Sequence, residues 1–176
     1  MLEESLSRLF FYCYFHKTRS DRRMSREKDL YEEVLKVTEP IGLVVVDLAI
    51  KKGKRGTNIY LVIHKDTGVT IHDCEKVSRL LNDRLSVLET VGVEKDYSLQ
   101  VSSPGLFREF KNKREYIIFR SRQVKIILKK PYEDISNNPV LEGKLMSMED
   151  DIVSVEIAGK TMELPLRRIS TTKLNG

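Results

Sequence analysis

One stretch of this chain constrains its fold more than any other: a strand that is made to stop. From Tyr97 the sequence reads Tyr-Ser-Leu-Gln-Val-Ser-Ser-Pro-Gly-Leu-Phe-Arg. Tyr97, Leu99 and Val101 alternate with polar residues, the period of a half-buried strand. Pro104 then removes a ladder donor, fixes its own φ and biases Ser103 toward extended backbone. Gly105 permits a positive φ where the chain must turn. The strand therefore ends in two hydroxyls, Ser102 and Ser103, at a rigid corner. The basic run Arg108, Lys111, Lys113 and Arg114 follows at once. The plain reading is an ordinary strand exit; the functional one is a fixed, cationic contact corner.

Upstream, the pattern alternates helix and strand. Ser25 is a candidate helix cap, with Glu27 and Asp29 favourably placed in the first turn. Leu30, Val34, Val37 and Ile41 recur at helical spacing, and Pro40 and Gly42 close the helix. Leu43 to Ile50 is rich in β-branched residues and predicts a strand. Lys51-Lys52-Gly53-Lys54-Arg55-Gly56 predicts a hairpin loop, and Thr57 to His64 the returning strand. Thr70, with Asp73 three positions on, resembles a capping box for a second helix. Cys74, Val77, Leu81, Leu85 and Leu88 form its apolar stripe. The Tyr97 strand completes a three-stranded sheet, with both helices most economically on one face.

Residues 111–119 predict a short helix. Beyond Arg120 the texture changes to short strands with frequent turns: Val124–Lys129, Leu141–Met148, Ile152–Ile157 and Thr161–Leu164. Ala158-Gly159-Lys160 reads as a hairpin tip, and Pro165 to Ile169 as a single tight helical turn before a last strand. Such density of short strands in so few residues suggests a small barrel.

The charge is spread evenly. The formal net charge is +5, made of +2 in residues 1–23, +2 in 24–120 and +1 in 121–176. A protein living by non-specific phosphate neutralisation is usually more lopsided. The balance suits a partner that offers both RNA and protein surfaces. The two cysteines, Cys13 and Cys74, suggest no disulfide framework and fit a reducing compartment. No apolar run reaches the roughly 18 residues of a membrane span. The apolar run Leu9–Phe15 precedes its basic cluster rather than following it, which is the wrong order for a secretory signal.

Tyr-x-Leu-x-Val-Ser-Ser-Pro-Gly-Leu resembles the signature of the bacterial ribosome maturation factor RimP family. Glu39-Pro40-Ile41-Gly42 with the following valines, Ile59 to Ile63, and Gly68-Val69-Thr70-Ile71-His72-Asp73-Cys74 with Ser78 are similar to the same family, in order and with matching spacing. The similarity begins near Met24, is strong from Pro40 to Leu106, and is carried mainly by pattern after Lys130. The resemblance implies an α+β protein in two domains. Residues 24–120 would form an α/β domain with two helices on a three-stranded sheet. Residues 121–176 would form a small SH3-like or Sm-like β-barrel. Residues 1–23 would be an extension outside the fold, with Met24 the expected initiator. The chain departs from the family at His64 and His72, where acids are usual. It departs also at Gln100 in place of an acid, Phe107 in place of Asp, and Thr172 in place of a small residue.

The resemblance also implies a function: a non-enzymatic factor in ribosome biogenesis that binds the immature small subunit. Its partners would be ribosomal RNA and a ribosomal protein near the central pseudoknot, in the cytoplasm, with no membrane, no cofactor and a monomeric state. The contact candidates are Lys51, Lys52, Lys54 and Arg55 at the hairpin, and the corner Ser102, Ser103, Pro104, Gly105. To these are added Arg108, Lys111, Lys113, Arg114, Arg167 and Arg168. Each basic group also reads as a solvated turn. The acidic turn Glu149-Asp150-Asp151 would repel RNA and suits a basic protein. Other chemistry is poorly supported. His64, His72, Asp73 and Cys74 lack structural-zinc spacing, and Cys74 falls on an apolar stripe. No histidine accompanies Ser102 or Ser103, and Ser-Ser-Pro-Gly is not a nucleophile elbow. No P-loop or dinucleotide fingerprint occurs. An RNA-modifying or hydrolytic enzyme, or a free-standing Sm-type RNA adaptor, are the alternatives.

Overall fold

The structure is a computed structural model. It describes residues 21–53, 56–87, 97–131 and 137–176, with the side chains of residues 21–26 and 87 left aside. It is an α+β molecule with two compact units, dividing between Pro104 and Gly105.

In the first unit, helix α1 (Asp21–Thr38) leads through a 3-10 turn (Glu39–Ile41) into β1 (Val44–Gly53) and β2 (Gly56–His64). Helix α2 (Ile71–Val87) and β3 (Tyr97–Ser102) follow, and the sheet order is β1-β2-β3. β1 and β2 are antiparallel, whereas β3 runs parallel to β2 with Thr57 opposite Tyr97 and Val62 opposite Ser102. A parallel neighbour needs a long crossover, which α2 supplies.

Alternation sorts the side chains. Ile59, Leu61 and Ile63 point to one face, where they meet Leu30, Tyr31, Val34 and Val37 of α1 and Val77, Leu81 and Leu85 of α2. Both helices thus share one apolar cluster with one face of the sheet. Each such aliphatic side chain contributes roughly 1.5–3 kcal/mol when fully buried. A bulge between Val45 and Asp47 gives β1 an extra residue, so that Val45 and Val46 are both buried.

Both helix ends were largely readable. Thr70 and Asp73 form the capping box: the Asp73 N–H donates to Thr70 Oγ1 at 3.2 Å, and the Thr70 N–H donates to Asp73 Oδ2 at 2.7 Å. Gly42 closes the first helical segment at φ 71°, its N–H donating to the Glu39 carbonyl. The start of α1 differs from the sequence reading. The helix begins at Asp21, so Ser25 lies inside it and Asp21 to Arg23, expected outside the fold, are helical. Residues 21–29 contain no glycine or proline, so nothing in them stops helix propagation at a serine. Leu88, the last member of the expected α2 stripe, lies outside the described residues.

The second unit holds helix α3 (Lys113–Ile118) and five strands: β4 (Gln123–Leu128), β5 (Val140–Glu149), β6 (Ile152–Ile157), β7 (Lys160–Pro165) and β8 (Ile169–Leu174). A 3-10 turn at Leu166–Arg168 separates the last two, as the sequence predicts. Ala158 and Gly159 both have positive φ at the β6–β7 tip, as do Asp150 and Asp151 at the β5–β6 tip. The sheet order is β7-β6-β5-β4-β8, every neighbour antiparallel. The pairing gives one five-stranded sheet whose ladders do not close into a barrel; the SH3-like or Sm-like form implied by the family resemblance is finer than this pairing. Short strands and frequent turns are shared by open and closed sheets, and closure is decided by pairing between distant edges. Gly143 allows β5 to bend close to its neighbour: a Cβ there would collide with the Glu156 carbonyl and lie 2.8 Å from Ile157.

The sequence reading put the boundary after Arg120 and so placed α3 with the first domain. The compact units divide earlier, inside the Ser-Ser-Pro-Gly motif. The segment after Gly105 is tied to β8, with the Phe110 N–H donating to the Thr172 carbonyl and the Leu174 N–H to that of Arg108. Phe110 packs edge-on to Tyr116, with ring centroids 5.0 Å apart.

Candidate partner-binding surface

The two basic runs seen in the sequence meet different fates. In the first, Lys51 and Lys52 are not in a loop. They are the last residues of β1 before Gly53, opposite Asn58 and Thr57, and they point to opposite faces. The loop reading is corrected because the ladder continues to Gly53 opposite Gly56. Lys54 and Arg55 lie outside the described residues. Lys51 is exposed, and its Nζ stands 5.2 Å from the ring centroid of Tyr60, also exposed. This is cation–π distance.

In the second run, Arg108 turns inward. Its Nε donates to Glu115 Oε2 at 2.7 Å and its Nη2 to Oε1 at 3.1 Å. The Glu115 side chain is fully buried and that of Arg108 is 9% exposed. The Lys111 N–H donates to the same carboxylate at 3.1 Å, and Asn112 caps α3 by accepting from the Glu115 N–H. Arg108 is therefore a structural cation rather than a group presented to a partner. Lys113 pairs with Asp151, so part of the acidic turn is neutralised within the unit. Lys111 and Arg167 are exposed, whereas Arg114 and Arg168 are half-buried.

The corner keeps its expected backbone. Ser102 ends β3, Ser103 is exposed, Pro104 is half-buried, and Gly105 has φ 76°. A Cβ at Gly105 would meet nothing within 4 Å, so it is the dihedral, not space, that requires glycine. Leu106 and Phe107 follow, 64% and 69% exposed.

The side chains near the β2–α2 turn that could ligate a metal are dispersed. His64 is buried in β2, His72 is exposed on α2, and burial pushes the Cys74 thiol up. Asp73 is held below the ordinary aspartate range, first by the Lys65 ammonium at 2.7 Å and then by its bonds from Thr70. Among the described residues no group of three such side chains stands ready for a metal ion, and no helix is long and apolar enough to cross a membrane.

The strand that ends at the corner, the parallel ladder and the capped crossover helix lie within one matched segment. Residues 33–107 match the family model described as the RimP N-terminal domain. Over this segment the chain is similar to the RimP N-terminal domain. The resemblance to the RimP family read from the sequence is thereby borne out, and this family implies a role in ribosome maturation.

In this matched segment, sequence reasoning passed over one group: Tyr60. It faces away from Ile59 and Leu61 and sits on the central strand. The signal was present, since an aromatic in the polar phase of a period-2 strand must lie opposite the core.

Proposed function

We propose that this protein is a non-enzymatic assembly factor that binds the immature small ribosomal subunit and promotes its late maturation. The observation that carries the reading is the match of residues 33–107 to the RimP N-terminal domain. The family is one of ribosome maturation factors and generally non-enzymatic. In physical terms such a factor acts by differential binding: it prefers the correctly folded arrangement of RNA and protein and shifts the population toward it. A cytoplasmic monomer that touches ribosomal RNA with one surface and a ribosomal protein with another, near the central pseudoknot, completes the proposal. The contact groups kept in it are Lys51, Lys52, Lys54 and Arg55, the corner Ser102 to Gly105, and the exposed cations Lys111 and Arg167. Arg108 leaves the set because Glu115 holds it.

The test is sedimentation of extract from cells making the full chain. The protein should travel with free small subunits and be absent from translating ribosomes. A protein that stays at the top of the gradient at low salt, with purified immature subunits added, overturns the reading.

A further inference from the structure

The face of the first sheet that α1 and α2 leave alone has a composition of its own. Its rungs are set by register. Lys51, Asn58 and Ser98 lie side by side across the three strands, then Ala49, Tyr60 and Gln100, then Asp47, Val62 and Ser102. Tyr60 is at the centre of this face and 37% exposed. Asn58 and Ser98 lie on the next rung, Gln100 beside Tyr60 on its own. Gln100 and Ser98 are exposed and Asn58 is half-buried. The Lys51 ammonium stands over one side of the ring. Asp47 is the one carboxylate among the described residues of these three rungs, on the rung away from Lys51, and it is half-buried.

We propose that this face is a stacking platform for a single-stranded RNA segment, with one base lying on Tyr60. The inference rests on the small-subunit reading above and names the part of that partner which the domain would grip. Three physical features argue for this occupant. An exposed aromatic on a central strand offers a flat surface to any base, and base–aromatic stacking is tolerant of sequence. Amides and hydroxyls on either side of it, Asn58, Gln100 and Ser98, donate and accept, as the edges of an unpaired base require. Lys51 places a positive charge at the Gly53 end of the face, where a phosphate flanking the stacked base would lie. A duplex hides its base faces and cannot use Tyr60.

The experiment measures binding of the full chain to an unstructured oligoribonucleotide and to a duplex of the same sequence, with immature small subunits in parallel. Tyr60→Leu should weaken binding of the single strand by about tenfold, the lower range for a lost base–aromatic stack. Tyr60→Phe should keep the affinity, since the ring is kept. Lys51→Gln should flatten the salt dependence, by up to about one unit of slope if one phosphate contact is lost. Photocrosslinking of a halogenated oligonucleotide should map to Tyr60. The thermal midpoint of Tyr60→Leu should stay near that of the unchanged protein, because the ring lies outside the core. The proposal is overturned if Tyr60→Leu binds the single strand as the unchanged protein does, or weakens duplex binding equally. It is overturned too if the substitution weakens subunit binding alone, for the face would then meet a ribosomal protein. Tyr60-dependent oligonucleotide binding without subunit binding would sink the assembly reading and leave the platform standing. The reverse result would do the opposite.

Discussion

Two basic runs of similar length and density sit about fifty residues apart, Lys51 to Arg55 and Arg108 to Arg114. Their outcomes are opposite. Lys51 remains at the surface, its charge against an aromatic face. Arg108 is almost entirely withdrawn, its guanidinium doubly bonded to a buried carboxylate. The difference is made by neighbours. Next to Lys51 in the ladder stand Asn58 and, diagonally, Tyr60, neither of which neutralises it. Seven residues beyond Arg108, in the first turn of α3, stands the buried Glu115. A run of cations is thus no guide to an interface until each one has been asked which carboxylate it can reach.

The comparison is most exposed at the buried pair. Glu115→Gln should destabilise the second unit by about 3–5 kcal/mol, the usual effect of leaving one charge of a buried pair uncompensated. Denaturant unfolding would measure it. A loss below about 1 kcal/mol would mean that Arg108 is as replaceable as a surface cation.

A smaller effect is expected beside it. The Tyr116 and Thr172 hydroxyls are buried and 2.8 Å apart. Tyr116→Phe should cost about 1–2 kcal/mol by stranding the threonine oxygen, and Tyr116→Phe with Thr172→Val should recover part of that. The recovery, read from unfolding midpoints, would show that Thr172 is matched to Tyr116.

Lys65 and Asp73 give the comparison an intermediate case, a partly exposed ion pair that also serves a helix cap. The folded Asp73 carboxyl lies below the ordinary value of 3.8, so its contribution is complete above that pH. The contribution should fade as pH drops below about 4. Stability of the unchanged protein should therefore fall more steeply with acid than that of Asp73→Asn. Parallel pH profiles would refute this.

The smallest effect belongs to the exposed pair of Lys113 and Asp151. Lys113→Gln should change stability by less than about 1 kcal/mol and should vary with salt. A large, salt-insensitive loss would place this pair with Arg108 and Glu115 instead.

Where structure follows from a repeat of two or three and a half residues, the sequence was readable. The stripes of α1 and α2, the capping box at Thr70, the tip at Ala158-Gly159 and the 3-10 turn before β8 are local patterns, and they hold. What was not readable depends on who meets whom across the chain. The pairing of Arg108 with Glu115, the continuation of β1 through Lys52 and the open edges of the second sheet are of this kind. The corner was legible in its backbone, through Pro104 and Gly105. Tyr60 was legible in principle, but its meaning came only with the rungs on either side.

The parallel pairing of β2 with β3 has a consequence in time. Thr57 and Tyr97, partners in the ladder, are separated in sequence by the whole of α2. In the second sheet three of the four ladders join strands that follow one another in sequence, and only β4 with β8 spans further. Closing a long loop costs entropy before the contacts that reward it exist, so folding slows as pairing becomes less local. The hairpins after Gly105 should therefore gain protection from hydrogen exchange first during refolding, with the amides of β3 among the last to be shielded. The strand that leads into the Ser-Ser-Pro-Gly corner would then be set late, after much of the chain's other pairing is in place.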